Sequence, residues 1–186
     1  MTMNPSPPAP TTSPVAPSAE AGPSGDPAAG RTLVAGVGNL FLGDDGFGAE
    51  VARVLARRQL PAGVTVVDYG IRSMHLAYDL LDGWDRLILV DLLPGRGRPG
   101  TVHVVRIDPG SRAIRPPDPH GMAPHTVLAA ASALGGTLPP TLLVGCEPQD
   151  VTEHIGLSAA VARAVEPAVD TVLRLLSELP AAAGGR

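Results

Sequence analysis

Apolar and polar positions along this chain fall into blocks that switch between a strand period and a helix period. Thr32 to Val37 (TLVAGV) is a short, nearly unbroken apolar run, the pattern of a strand covered on both faces. From Phe47, apolar residues recur at Phe47, Val51, Val54 and Leu55, while Glu50, Arg53 and Arg57 fall on the other side, which predicts an amphipathic helix. Val64 to Asp68 (VTVVD) predicts a second strand and Ser73 to Leu81 a short helix. Leu87 to Asp91 (LILVD) predicts a third strand, whose hydrophobicity places it at the centre of a sheet. Thr101 to Ile107 (TVHVVRI) alternates, as a strand with one wetter face does. The connection between these last two, LPGRGRPG, is too short for a helical crossover, which takes about a dozen residues or more, so the fourth strand is expected to run antiparallel. A Pro- and Asp-rich loop leads to a helix from about Pro124, with Val127, Leu128, Ala131 and Leu134 on one stripe. Thr141 to Cys146 (TLLVGC) predicts a fifth strand. A closing helix carries Val161, Val165, Ala168, Val172, Leu175 and Leu179, with a kink expected at Pro167. The order βαβαββαβα describes a three-layer α/β domain.

Composition divides the chain further. The first thirty of its 186 residues hold eight of the 21 prolines, two charges (Glu20 and Asp26) and almost no large aliphatic side chain. Such a segment cannot bury enough apolar surface to offset the entropy of ordering. Residues 1–30 are therefore expected to form a disordered Pro/Ala/Ser-rich tail, dispensable for chemistry. Residues 31–180 make one α/β domain, and 181–186 a flexible end. Every one of the 14 cations is arginine; against 18 carboxylates they leave a net charge of −4 and no basic stripe. With 3% aromatics there are few stacking platforms either, so nucleic acid is not expected as a partner. A single cysteine excludes an intrachain disulfide framework and a cysteine-rich zinc module. No apolar run approaches the roughly 18–20 residues of a membrane span, and no cationic start leads into an apolar stretch. A cytoplasmic protein without a membrane partner is expected.

Ligands of open parallel sheets bind at the carboxyl ends of the strands, so the loops there are the place to look for chemistry. The loop after the first strand, GVGNLFLGDDGFG, carries Asp44 and Asp45; the second strand ends in Asp68-Tyr69-Gly70, the third in Asp91, and the fifth in Cys146-Glu147-Pro148. His120 and His125 lie before the third long helix. Gly36-Val37-Gly38 opens like a dinucleotide-binding turn, yet Phe41 stands at the third glycine position and two aspartates follow where a pyrophosphate would sit. Two anions there repel a third, so the loop suits a cation. One of the two aspartates is expected to cap the following helix and the other to bind a ligand. In the first turn of a helix the dipole disfavours imidazolium, leaving His125 neutral and available to a metal; His120, in the loop, ranks behind it. His75, His103 and His154 read as ordinary structural or surface residues. An aspartate from the first loop, Asp91 and His125 together give an O, O, N set with open positions. Without a thiolate, that set binds nickel or zinc only moderately, which suits sensing a metal already held by another protein. Cys146 reads as a small core residue, and Ser132 and Ser158 lack an adjacent base, so no serine or cysteine mechanism is expected.

Taken in order, GVGNLFLGDDGFG (36–48), DYGIRSMHLAYDLLDGWD (68–85), LILVD (87–91), PGTVHVV (99–105), APHT (123–126), VGCEP (144–148) and HIGLS (154–158) resemble the nickel–iron hydrogenase maturation endopeptidases. The resemblance runs from Thr32 to Leu179. It implies an α/β/α sandwich with a five-stranded mixed sheet of order 2-1-3-5-4 and strand four antiparallel. The short-connection argument yields the sense of strand four but not the insertion of strand five beside strand three. The family's metal-contacting positions fall on Asp45, where many members carry Glu, and on Asp91 and His125. Asp68 matches a further acidic position and is a candidate catalytic residue for substrate contact or proton transfer. Ser73 stands where many relatives have Gly. The implied activity is removal of a short carboxyl-terminal extension from a hydrogenase large-subunit precursor after nickel insertion. The nickel is carried by that partner and no organic cofactor is involved; the enzyme acts as a monomer. Two rival readings are a non-catalytic nickel carrier, which would hold metal tightly alone, and a broad zinc peptidase, which would cut unrelated peptides.

Overall fold

A computed structural model of the chain describes residues 30–107 and 124–178. The expectations for the tail up to residue 29, the end from 179, and His120 lie outside the described residues. The strands are β1 (Thr32–Val37), β2 (Val64–Gly70), β3 (Arg86–Leu92), β4 (Val102–Ile107) and β5 (Thr141–Cys146). They form one sheet in the order β2-β1-β3-β5-β4, parallel except for β4, which runs antiparallel to β5. The most apolar strand, β3, is central, and Leu87 to Leu92 are all buried. Between β5 and β4, the outer place goes to the strand that tolerates water. All but one residue of β5 is buried, whereas only Ile107 of β4 is. The connection after β3 therefore passes over the end of β5. At about 4.8 Å per strand spacing, eight residues reach across easily.

Side-chain alternation along β3 separates two apolar layers. Ile88, Val90 and Leu92 pack with Phe47, Val51 and Leu55 of α1 (Phe47–Leu55). The same layer takes Val161 of α4 (Ala159–Ala162) and Val169 and Val172 of α5 (Val165–Glu178). Leu87 and Leu89 face the other way, onto Leu76 of α2 (Ser73–Asp79) and Val127, Leu128 and Ala131 of α3 (Pro124–Ala133). Leu134, expected on the α3 stripe, lies past the helix end and is exposed. The closing helix is also two helices rather than one kinked at Pro167. The break falls at residues 163–164, and Pro167 sits in the first turn of α5, where a backbone N–H would have no helical partner to lose. No described helix is long and apolar enough to cross a membrane.

At the start of α1 the helix lies directly on the strand ends. A Cβ at Gly48 would overlap the carbonyl oxygens of both Val37 and Val90. These are backbone atoms of paired strands and cannot swing aside. Gly48→Ala is expected to lower stability by about 2–3 kcal/mol, read as a reduced urea midpoint, because the helix must lift off the sheet.

Candidate active site

The loop after β1 is tied down from its first residue. Gly38 has φ 133° and donates its N–H to Gly70 O at 3.1 Å, joining the ends of β1 and β2. A Cβ there would overlap the Asp45 carbonyl, so only glycine lets the returning chain pass this close. A 3₁₀ turn, Gly43–Gly46, follows and runs into α1. Within it Asp45 is half-buried, and its Oδ2 accepts the Asn39 N–H at 2.8 Å. The turn packs against β3. There Asp91, also buried, accepts the Leu92 N–H on Oδ1 at 2.7 Å. Asp91 directly follows the Gly36–Val90 pair and is itself paired with Gly145. Alternation along β3 puts its side chain on the face covered by α2 and α3, and the first turn of α3 carries His125. The His125 side chain lies outside the described residues. Asp91 thus sits at the carboxyl end of β3 and Asp45 in the turn that packs against it, and α3 covers the face to which Asp91 points. Among the described residues no three His, Cys, Asp or Glu side chains are grouped to hold a metal ion. Asp68 is exposed on edge strand β2, level with Gly36, its Oδ1 accepting the Gly70 N–H at 2.9 Å.

Neither aspartate of the first loop caps α1, contrary to the expectation from sequence. The helix opens on Gly46 without a side-chain cap, because the 3₁₀ turn feeds straight into it. Asp44 does something else. It is wholly buried, and its Oδ2 accepts from the N–H groups of Gln149 and Asp150, both at 2.8 Å, and from the Ser158 hydroxyl at 3.0 Å. Its Oδ1 accepts the Ser158 N–H at 2.6 Å. The backbone joins in: Gly43 N–H donates to His154 O and Asp44 N–H to Asp150 O, both at 2.9 Å. One carboxylate thereby clamps the Asp45 loop to the segment 149–158. Ser158 donates its hydroxyl hydrogen bond to Asp44 and accepts the Val161 N–H at the start of α4, so it caps that helix. Cys146 is fully buried, and burial pushes its thiol up to about 12.

A further buried carboxylate, Glu147, stands just past the end of β5, and the pattern gave no sign of its role. Glu147 Oε2 accepts the N–H groups of Arg96 at 2.7 Å and Arg98 at 3.0 Å, and its Oε1 pairs with His103 Nε2 at 2.8 Å. His103, read from sequence as an ordinary structural or surface residue, is mostly covered. The Arg96 N–H, then the His103 bond, outweigh burial and hold the Glu147 carboxyl down at about 2. A lowered value means the folded state favours the ionised form, so this contribution is present above the ordinary 4.5 and disappears as pH falls from there toward 2. The urea midpoint of the native chain should drop across that window more steeply than that of Glu147→Gln. Tyr69 forms a comparable lock on the other face. Burial, and then Asp79, which accepts its hydroxyl at 2.6 Å, raise it well above the usual phenol range and tie β2 to α2.

Comparison with known proteins bears directly on this rim. A model of a family described as hydrogenase maturation protease (HycI) matches residues 49–175. The chain is 33% identical over 158 residues to the hydrogenase expression/formation protein HupD of Rhizobium leguminosarum, covering 83% of this chain and 78% of that one. It is 33% identical over 151 residues to the hydrogenase 2 maturation protease of Escherichia coli, covering 80% and 92%. Among solved structures, the hydrogenase maturating endopeptidase HybD from E. coli superposes with a TM-score of 0.67 at 32% identity, covering 80% of this chain and 93% of that one. The five-stranded mixed sheet is the one seen there. From fold, sequence and solved relatives alike, the chain belongs to the hydrogenase maturation protease family and is an endopeptidase.

Proposed function

We propose that this enzyme cuts one peptide bond near the carboxyl terminus of a nickel–iron hydrogenase large-subunit precursor, after nickel insertion, working as a monomer in the cytoplasm. Nickel bound by the precursor serves as the tag, read by Asp45, Asp91 and His125. The observation that supports this reading most is the pair of anchored carboxylates, Asp45 in the turn that packs against β3 and Asp91 at the carboxyl end of that strand. Each is oriented by a backbone N–H, from Asn39 and Leu92 respectively. Gly38 lets the Asp45 backbone lie close against the end of β1. An O, O, N set with no thiolate binds a borderline divalent ion only moderately, so it can probe an ion that the substrate's own ligands hold and release it afterwards. Water is the attacking group, and Asp68, exposed on edge strand β2, is the candidate for substrate contact or for exchanging a proton with that water.

The test mixes the purified chain with the precursor, with and without nickel, and follows intact mass. Loss of the carboxyl-terminal peptide from the nickel-loaded precursor alone is expected. Cleavage of the metal-free form would overturn the tag, and cleavage of neither would overturn the reading as a whole.

A further inference from the structure

Leu40, Phe41 and Ile155 stand in water, 49%, 66% and 78% exposed, although they belong to two loops whose backbones are tightly held. Apolar side chains on slack loops fold down onto the nearest apolar surface. These cannot, because Asp44 and the Gly43–His154 and Asp44–Asp150 backbone bonds fix both loops from beneath. Between the loops runs a groove of about 620 Å³. Leu40 and Gly46 form one side, Ile155 and Leu157 the other, and Val54 and Val165 close it where α1 meets α5. Glu50 is paired with Arg53 at its edge, and Glu166 with Arg58, so the mouth carries no unbalanced charge. A rigid, apolar, charge-neutral hollow flanked by exposed aliphatic side chains is the form of a peptide subsite.

The groove and the candidate metal-reading site share one wall. Asp45 lies between Gly43 and Gly46, both of which line the groove. Whatever fills the hollow therefore lies against the turn that carries Asp45.

We propose that this groove seats an uncharged, aliphatic or aromatic stretch of the precursor's carboxyl-terminal segment, fixing which bond lies at the rim. The assignment rests on the reading above for the identity of the occupant, while the groove itself does not depend on nickel. A single bond in a large protein is selected by contacts on several residues around it, and three carboxylate or imidazole groups cannot supply them.

A photo-crosslinking amino acid at position 155 of the full chain, irradiated with the nickel-loaded precursor, is expected to attach to the precursor within its carboxyl-terminal segment. Attachment to the chain's own residues 1–29, to a second copy of the chain, or to nothing would overturn the proposal. In parallel, Ile155→Asp is expected to weaken the equilibrium dissociation constant for the precursor by about ten-fold or more, whereas Leu134→Asp, equally apolar and on the far side of the sheet, leaves it within two-fold. Equal affinity of Ile155→Asp and the native chain would sink the groove. The two hypotheses separate cleanly. A chain that binds the precursor through position 155 but cleaves it regardless of nickel keeps the groove and loses the tag. A chain that cleaves only the nickel form with Ile155→Asp unimpaired keeps the tag and loses the groove.

Discussion

Asp44→Ala is expected to cost about 3–5 kcal/mol of unfolding free energy, the largest loss from any single side chain at the rim, measured by urea denaturation. The reason is what remains behind. Three backbone N–H groups, of Gln149, Asp150 and Ser158, and one hydroxyl now point at the carboxylate. Alanine leaves all of them without an acceptor in a site where Asp44 itself is fully covered, and each unsatisfied buried donor costs roughly 1–3 kcal/mol. Asp44→Asn is informative in a different way. One oxygen survives, but the new amide sets its own N–H groups against backbone donors, so it should recover only part of the loss. If both variants unfold like the native chain, water already satisfies these groups and the clamp is not what holds the two loops together. Activity should fall along with stability in the alanine variant, because the Asp45 turn is fastened from beneath by the same bonds.

The second large effect concerns turnover, with stability nearly untouched. Asp91→Asn keeps side-chain volume and an acceptor for the Leu92 N–H but removes the charge that a divalent ion would feel. Precursor cleavage is expected to fall by about 100-fold or more, with the melting midpoint shifting by only a few degrees. Asp45→Asn and His125→Ala should behave alike. The discriminating variant is Asp45→Glu, which keeps the charge on a longer side chain and should keep cleavage. A merely structural role for Asp45 predicts the opposite ranking: asparagine fits the short bond to the Asn39 N–H better than glutamate does. Full cleavage by all three variants, Asp91→Asn, Asp45→Asn and His125→Ala, would reject the site.

The bounds of β1 and β5 were legible residue for residue, because short apolar runs between turn residues have few other ways to be buried. The antiparallel sense of β4 followed from chain length alone. The sheet order did not follow from pattern; it came with the family resemblance. Its physical cause, visible only in the folded chain, is the contest between β4 and β5 for the covered place. The site shows the same boundary between local and distant information. Asp45 and Asp91 are found by standing at strand ends. The work of Asp44 could not be seen that way, since its partners lie 105 to 114 residues further on, and neither could that of Glu147, whose partners lie 44 to 51 residues back. Local rules offered Asp44 the helix start next to it or a ligand in the loop, and neither names the distant backbone it holds. At Pro167 the rule was sound but misapplied: a missing donor distorts the middle of a helix, and here the chain places that residue where a new helix begins.

The thiol of Cys146, the single cysteine of the sequence, has a practical consequence. It is sealed within the core, and burial disfavours the thiolate form that reacts with alkylating reagents. The native chain is thus already a silent background for maleimide chemistry. A cysteine introduced at one exposed position would take up a fluorophore or spin label there and nowhere else, with no prior mutation of the protein.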